Sequence, residues 1–153
     1  MIRRALLASA AALACAPALL PGTEIADTPD TRAIAAQVEA YRQALEKLDP
    51  QAVLALTAPD YFDNAGTPDP SDDVDRAGLE KRLQDLHQLE GARFQFTLRH
   101  IDIRGDVATA EVFFDSYYRV KTPGGTAVPR HDADVHLLTL KKYQGRWLFI
   151  SGL

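Results

Sequence analysis

The sequence is poor in sulfur: of 153 residues, one is cysteine, Cys15, and one is methionine. A lone thiol so near the N-terminus leaves residues 16–153 without a disulfide, so stability has to come from a packed apolar core. No second cysteine can join a metal site, and the four histidines at 87, 100, 131 and 136 fall at no metal-ligand spacing, so no metal is expected. Basic residues are outnumbered, with 17 Lys and Arg against 21 Asp and Glu. This argues against nucleic acid as a partner, which calls for a basic patch. Glycine-rich phosphate loops and serine nucleophile elbows are absent, and nothing in the chain calls for a cofactor. The apolar run from Ala5 to Ala14 is also short of the ~20 residues that a membrane-spanning helix needs.

What the first residues do hold is an export pattern. Met1-Ile2-Arg3-Arg4 is a cationic start, followed directly by that apolar run. Ala11-Ala12-Leu13-Ala14-Cys15 resembles the lipobox of bacterial lipoproteins, with Ala12 where leucine is usual. The resemblance implies cleavage before Cys15, lipidation of its thiol, and an exported protein held in a bacterial cell envelope by a membrane anchor. We therefore expect a signal peptide over 1–14, a tether over 15–28 and a folded domain over 29–153. Losing Arg3 and Arg4 leaves a mature chain of 139 residues with net charge −6.

Thr28-Pro29-Asp30 is a helix start: a capping hydroxyl, a proline at the first helical position and an acid in the first turn. Ile34, Val38, Tyr41, Leu45 and Leu48 then form one apolar stripe. Asp49-Pro50 starts a short helix that ends before Pro59. Leu79, Leu83, Leu86 and Leu89 space a third helix, with Gly91 as its expected stop. Beyond it the period becomes two. Phe94, Phe96 and Leu98 alternate, and Ile101 and Ile103 continue on the other parity, which predicts a bulge near Arg99-His100. Turns at Gly105-Asp106, Pro123-Gly124-Gly125 and Tyr143-Gln144-Gly145 then divide four antiparallel strands. Helices followed by hairpins make an α+β plan, with helices covering one face of a curved sheet.

The element order, together with Tyr41-Arg42-Gln43-Ala44-Leu45-Glu46-Lys47-Leu48-Asp49, Ala52-Val53-Leu54-Ala55-Leu56, Tyr61-Phe62-Asp63 and Gly145-Arg146-Trp147, resembles the nuclear transport factor 2-like (NTF2-like) superfamily. That superfamily includes ketosteroid isomerases and SnoaL-like cyclases. The resemblance covers about residues 30–153 and implies a cone whose helices and concave sheet face enclose a cavity. It places Tyr41 at the oxyanion-stabilising tyrosine of the isomerases. Their general base falls near Ala65, within a residue or two of Asn64 and Asp63. The expected pocket is lined by Tyr41, Tyr61, Asp63, Asn64, Phe114, Ser116 and Tyr118.

Strand parity bears on Asp134 and His136, where the resemblance places a protonated acid. Ala108, Ala110, Val112 and Phe114 share one face of their strand. Matching Ala133, Val135 and Leu137 to that apolar face puts Asp132, Asp134 and His136 on the convex side, with Arg119–Asp132 and Asp115–His136 as cross-strand pairs. On that reading, charges at 111, 115, 119, 132 and 134 oppose a homodimer through the sheet, an arrangement common in the superfamily. Asp69 to Glu80 has oxygens at calcium-loop spacing, but Val74 stands where that loop needs glycine.

Three functions follow. The first is an envelope domain that binds a small apolar ligand without catalysis, or serves as an accessory protein. The second is an isomerase or cyclase using Tyr41 and Asp63. The third is a structural interaction module.

Overall fold

A computed structural model describes residues 18–153; the expected signal peptide over 1–14 and Cys15 lie outside that range. Helix α1 spans Pro29–Glu46, and the Thr28 hydroxyl caps it by accepting from the Thr31 amide. Helix α2 is Pro50–Leu54, capped by Asp49. A small ribbon pairs β1 (Phe62–Asp63) with β2 (Val74–Asp75). Helix α3 runs over Arg76–Leu83, and Asp75 caps it through the Gly78 amide. The main sheet is an antiparallel meander of β3 (Leu89–Arg104), β4 (Val107–Lys121), β5 (Ala127–Tyr143) and β6 (Arg146–Ser151), in that order. This is the expected α+β architecture, with α1 laid across the concave face.

The core gathers Ile34, Val38, Tyr41 and Leu45 of α1 against Ala108, Ala110, Val112 and Phe114 of β4, Leu138 and Leu140 of β5, and Trp147 and Phe149 of β6. Register shifts at Leu98/His100 confirm the bulge predicted there. Gly91 stops no helix: a 3₁₀ turn over Gln84–Gln88 ends the helical stretch, and Gly91 sits in β3 at a second register shift. Val74 is buried in the ribbon, paired with Asp63, so the acidic stretch folds as strand and helix cap.

Residues 18–27 are not a free tether. Leu20 and Ile25 face each other across a turn, with the Leu20 amide donating to the Ile25 carbonyl at 2.8 Å, and both side chains are buried. Gly22, at φ +73°, makes that turn, which is why a proline- and glycine-bearing segment packs.

The two sheet edges are treated differently. On β3, Glu46 accepts from the Phe94 amide at 3.0 Å and Arg42 donates to the Phe94 carbonyl at 3.2 Å, so α1 side chains occupy the place of a neighbouring strand. Glu39 and Glu46 hold the guanidinium, and the Arg42 bond in turn lowers the Glu39 pKa to about 2. Truncating Arg42 to alanine should cost about 1–2 kcal/mol in urea denaturation, and a neutral result would refute this clamp. On the other side, Leu56 and Ala58 bond to Phe149 and cover β6, but β6 pairs only with Thr139–Tyr143, leaving the first half of β5 without a strand neighbour on that side among the described residues.

Candidate functional site

A cleft of about 590 Å³ opens where the end of β6, the turn after β1 and the overhanging half of β5 meet. It is lined by Asp63, Asn64, Asp134, His136, Ser151 and Leu153, among others. Asp63 sits at its rim, but both carboxylate oxygens are engaged. Oδ1 accepts from the Ala65 amide and Oδ2 from the Gly152 amide, each at 2.9 Å. The Asn64 side-chain Oδ1 accepts from the Gly66 amide, closing a turn whose residues 65 and 66 both have positive φ. The Tyr61 hydroxyl accepts from the Leu153 amide at 3.1 Å, and burial pushes its pKa up to about 12.

The parity expectation for β5 is overturned. Val112 pairs with His136, Phe114 with Asp134 and Ser116 with Asp132, so these polar residues share the concave side. The loop between β4 and β5 holds five residues, Thr122 to Thr126, and Lys121 opposite Ala127 brings equal parities together. Leu138 and Leu140 carry the buried face, whereas Val135 (43% exposed) and Leu137 (60%) lie outward. The cross-strand contacts change accordingly: Asp115 binds His131 at 2.7 Å, and Tyr118 bonds to Asp132.

His136 therefore completes an aromatic stack. Its ring lies on Phe114 at 4.0 Å, and Phe114 lies on Phe96 at 3.8 Å. Burial lowers the His136 pKa, opposed by the nearby Asp134 carboxylate, and its ring nitrogens have no hydrogen-bond partner among the described residues. A neutral imidazole in a cleft can donate from one nitrogen and accept at the other. Because the unfolded chain returns His136 to 6.5, it binds more protons than the folded one between the lowered value and 6.5. Stability from this group is thus present above that window and lost as pH falls through it. Between about pH 7.5 and about 5.5, the urea midpoint should fall further in the wild type than in His136→Gln; equal falls would refute it.

The structure brings together Asp63 and Asn64 but places the other expected residues elsewhere. Tyr41 is buried among Phe96, Phe114 and Phe149, with centroids 5.7–6.1 Å away. Its pKa is raised by burial first and by Tyr61 second. Phe114 is the floor beneath His136, Ser116 donates to the Asp132 carbonyl at 3.0 Å, and Tyr118 turns toward Asp132. Gly152 and Leu153 were not anticipated; no local pattern points to residues that meet Asp63 and Tyr61 only through the fold. Among the described residues, no group of three or more His, Cys, Asp or Glu side chains is placed to hold a metal ion.

Solved structures with this fold are numerous. A candidate scytalone dehydratase from Novosphingobium aromaticivorans superposes with TM-score 0.68 at 18% identity, over 80% of each chain. A ketosteroid isomerase-like protein from Erwinia carotovora atroseptica gives 0.63 at 19%, covering 82% of this chain and 94% of that one. A cystatin-like-fold protein of Caulobacter vibrioides gives 0.60 at 24%, covering 80% and 85%. No family model and no curated protein matches the sequence. The chain has the NTF2-like cone fold, with helices packed on a curved four-strand antiparallel sheet.

Proposed function

We propose that this chain is an exported, lipid-anchored domain of NTF2-like fold that binds a small molecule in the Asn64–His136 cleft without transforming it. One observation carries the binding half: a half-buried imidazole without a side-chain partner sits on an aromatic floor in a cleft with polar and apolar walls. Such a lining suits an apolar body bearing one polar group. The engagement of both Asp63 oxygens by backbone amides weighs against a proton shuttle there. Nile red, an uncharged apolar dye bearing a carbonyl, should bind saturably, and His136→Ala and Asn64→Ala should each weaken it about tenfold. Binding indifferent to both substitutions would overturn the assignment.

A second reading, isomerase- or dehydratase-like proton transfer, draws on His136 and Asp134 lining one cleft, and on neighbours named for such activities. Deuterium exchange into cyclohexenone, abolished in His136→Gln, would favour it over pure binding. The earlier pairing of Tyr41 with Asp63 predicts instead that Asp63→Asn abolishes exchange.

Support for export and anchoring comes from the sequence before residue 18, and no helix among the described residues is long and apolar enough to cross a membrane. An alkyne palmitate analogue should label the wild type but not Cys15→Ser; an unlabelled wild type would remove the anchor. Outward placement of Val135 and Leu137 also makes the convex face a plausible contact for a second copy, and Leu137→Glu should then turn a dimer into a monomer in light scattering.

A further inference from the structure

β4 pairs with β5 over its whole length, from Lys141 back to Ala127, whereas β6 stops at Thr139. The Lys142 amide donates to the Asp106 carbonyl on the β4 side. By strand alternation, even-numbered residues of β5 direct their peptide groups to β4, and odd-numbered ones from Pro129 to Leu137 direct theirs to the open side. The stretch is bounded at both ends. Pro129 has no N–H to offer, and Gly152 lies against the Leu137 carbonyl. Between them, His131 and Ala133 have no backbone partner for their amides and carbonyls among the described residues. The Val135 amide is taken at 2.7 Å by the carboxylate of the preceding residue, Asp134.

An uncovered strand edge is complemented by extended main chain. The charge around this one selects which. Among the described residues, the cleft opening beside Asp134–Leu137 is lined by Asp63 and Asp134 and by no Lys or Arg, and Asp132 lies two residues along the strand. We propose that the open edge of β5 between His131 and Leu137 docks an extended, cationic segment of a protein partner as an added strand. Asp134 acts as the selector. In the free protein its carboxylate covers the Val135 amide; a Lys or Arg on the incoming strand draws it away and frees that amide for the partner's carbonyl. An acidic strand leaves Asp134 in place and meets a missing donor and a like charge. This contact uses the β5 main chain beside the cleft mouth, and its failure would leave the small-molecule reading to be judged by its own test.

The test is fluorescence anisotropy of the full chain with a labelled, capped Lys-Val-Lys-Val-Lys-Val-Lys peptide and its Glu counterpart. The Lys peptide should bind saturably, at least about tenfold tighter than the Glu peptide, and weaken as salt rises. Ala133→Pro removes one outward amide without touching the β4 ladder and should weaken the Lys peptide about fivefold. Asp134→Asn should abolish the preference between peptides; if circular dichroism shows the proline variant unfolded, this second variant decides. Equal binding of the two peptides, Lys-peptide binding unchanged by either folded variant, or no saturation would overturn the proposal. Nile red still binding under those outcomes would leave the cleft assignment standing.

Discussion

Trp147→Ala is expected to cost about 3–5 kcal/mol, the range for emptying a packed aromatic site. The ring is 2% exposed and belongs to the core, with its N–H edge at the core's margin. Its indole N–H donates to Asp30 Oδ1 at 3.0 Å, the same oxygen that accepts from Lys142 at 2.6 Å. Those two bonds, Lys142 first, hold the Asp30 carboxyl below the usual range. Trp147→Phe keeps most of the packing and loses only the bond to the exposed Asp30, so it should cost clearly less than the alanine variant. Trp147 is the only tryptophan, so urea unfolding has to be followed by circular dichroism. Equal losses for the two variants would sink the claim that packing dominates.

Gly152→Ala is expected to cost about 2–4 kcal/mol and to loosen the cleft. The residue sits at φ +94°, and a Cβ there would lie 2.3 Å from the Leu137 carbonyl oxygen and 3.0 Å from the Leu138 Cα. Backbone on both counts cannot give way as a flexible side chain would. The chain can relieve the contact only by moving residues 152 and 153, which breaks the Gly152–Asp63 and Leu153–Tyr61 hydrogen bonds. Nile red binding should therefore fall together with stability. Gly124→Ala is the control: its Cβ would meet nothing closer than 4.0 Å, and it should stay within about 0.5 kcal/mol. If the two variants behave alike, the tight approach at Gly152 is wrong.

Much of the fold was readable because local signals agreed with tertiary ones. The stripe from Ile34 to Leu45 is the buried face of α1, and the Thr28 cap and the β3 bulge lie where spacing put them. The stripe's last member, Leu48, falls outside the helix, in a positive-φ turn. The face of β5 was not readable, because it carries apolar residues on both parities. Val135 and Leu137 compete with Leu138 and Leu140, and only pairing with Ala110 and Ala108 resolves which pair is buried. That single ambiguity moved Asp134 and His136 from solvent to the site. Asp63 and Asn64 were legible by position after the second helix. Their partner Gly152 was not, since 89 residues separate it from Asp63.

The Asp30 contact also orders events in time. The first turn of α1 is fastened to Lys142 and Trp147, which lie 112 and 117 residues later. Closing loops of that length is slow and unrewarded until both ends are present. A nascent chain can form the α1 cap early, but it has neither fastening partner before residue 142 is available. Until residue 149 follows, Ile34, Val38 and Tyr41 lack Trp147 and Phe149 as packing partners, so the chain stays unlocked until its synthesis is nearly complete.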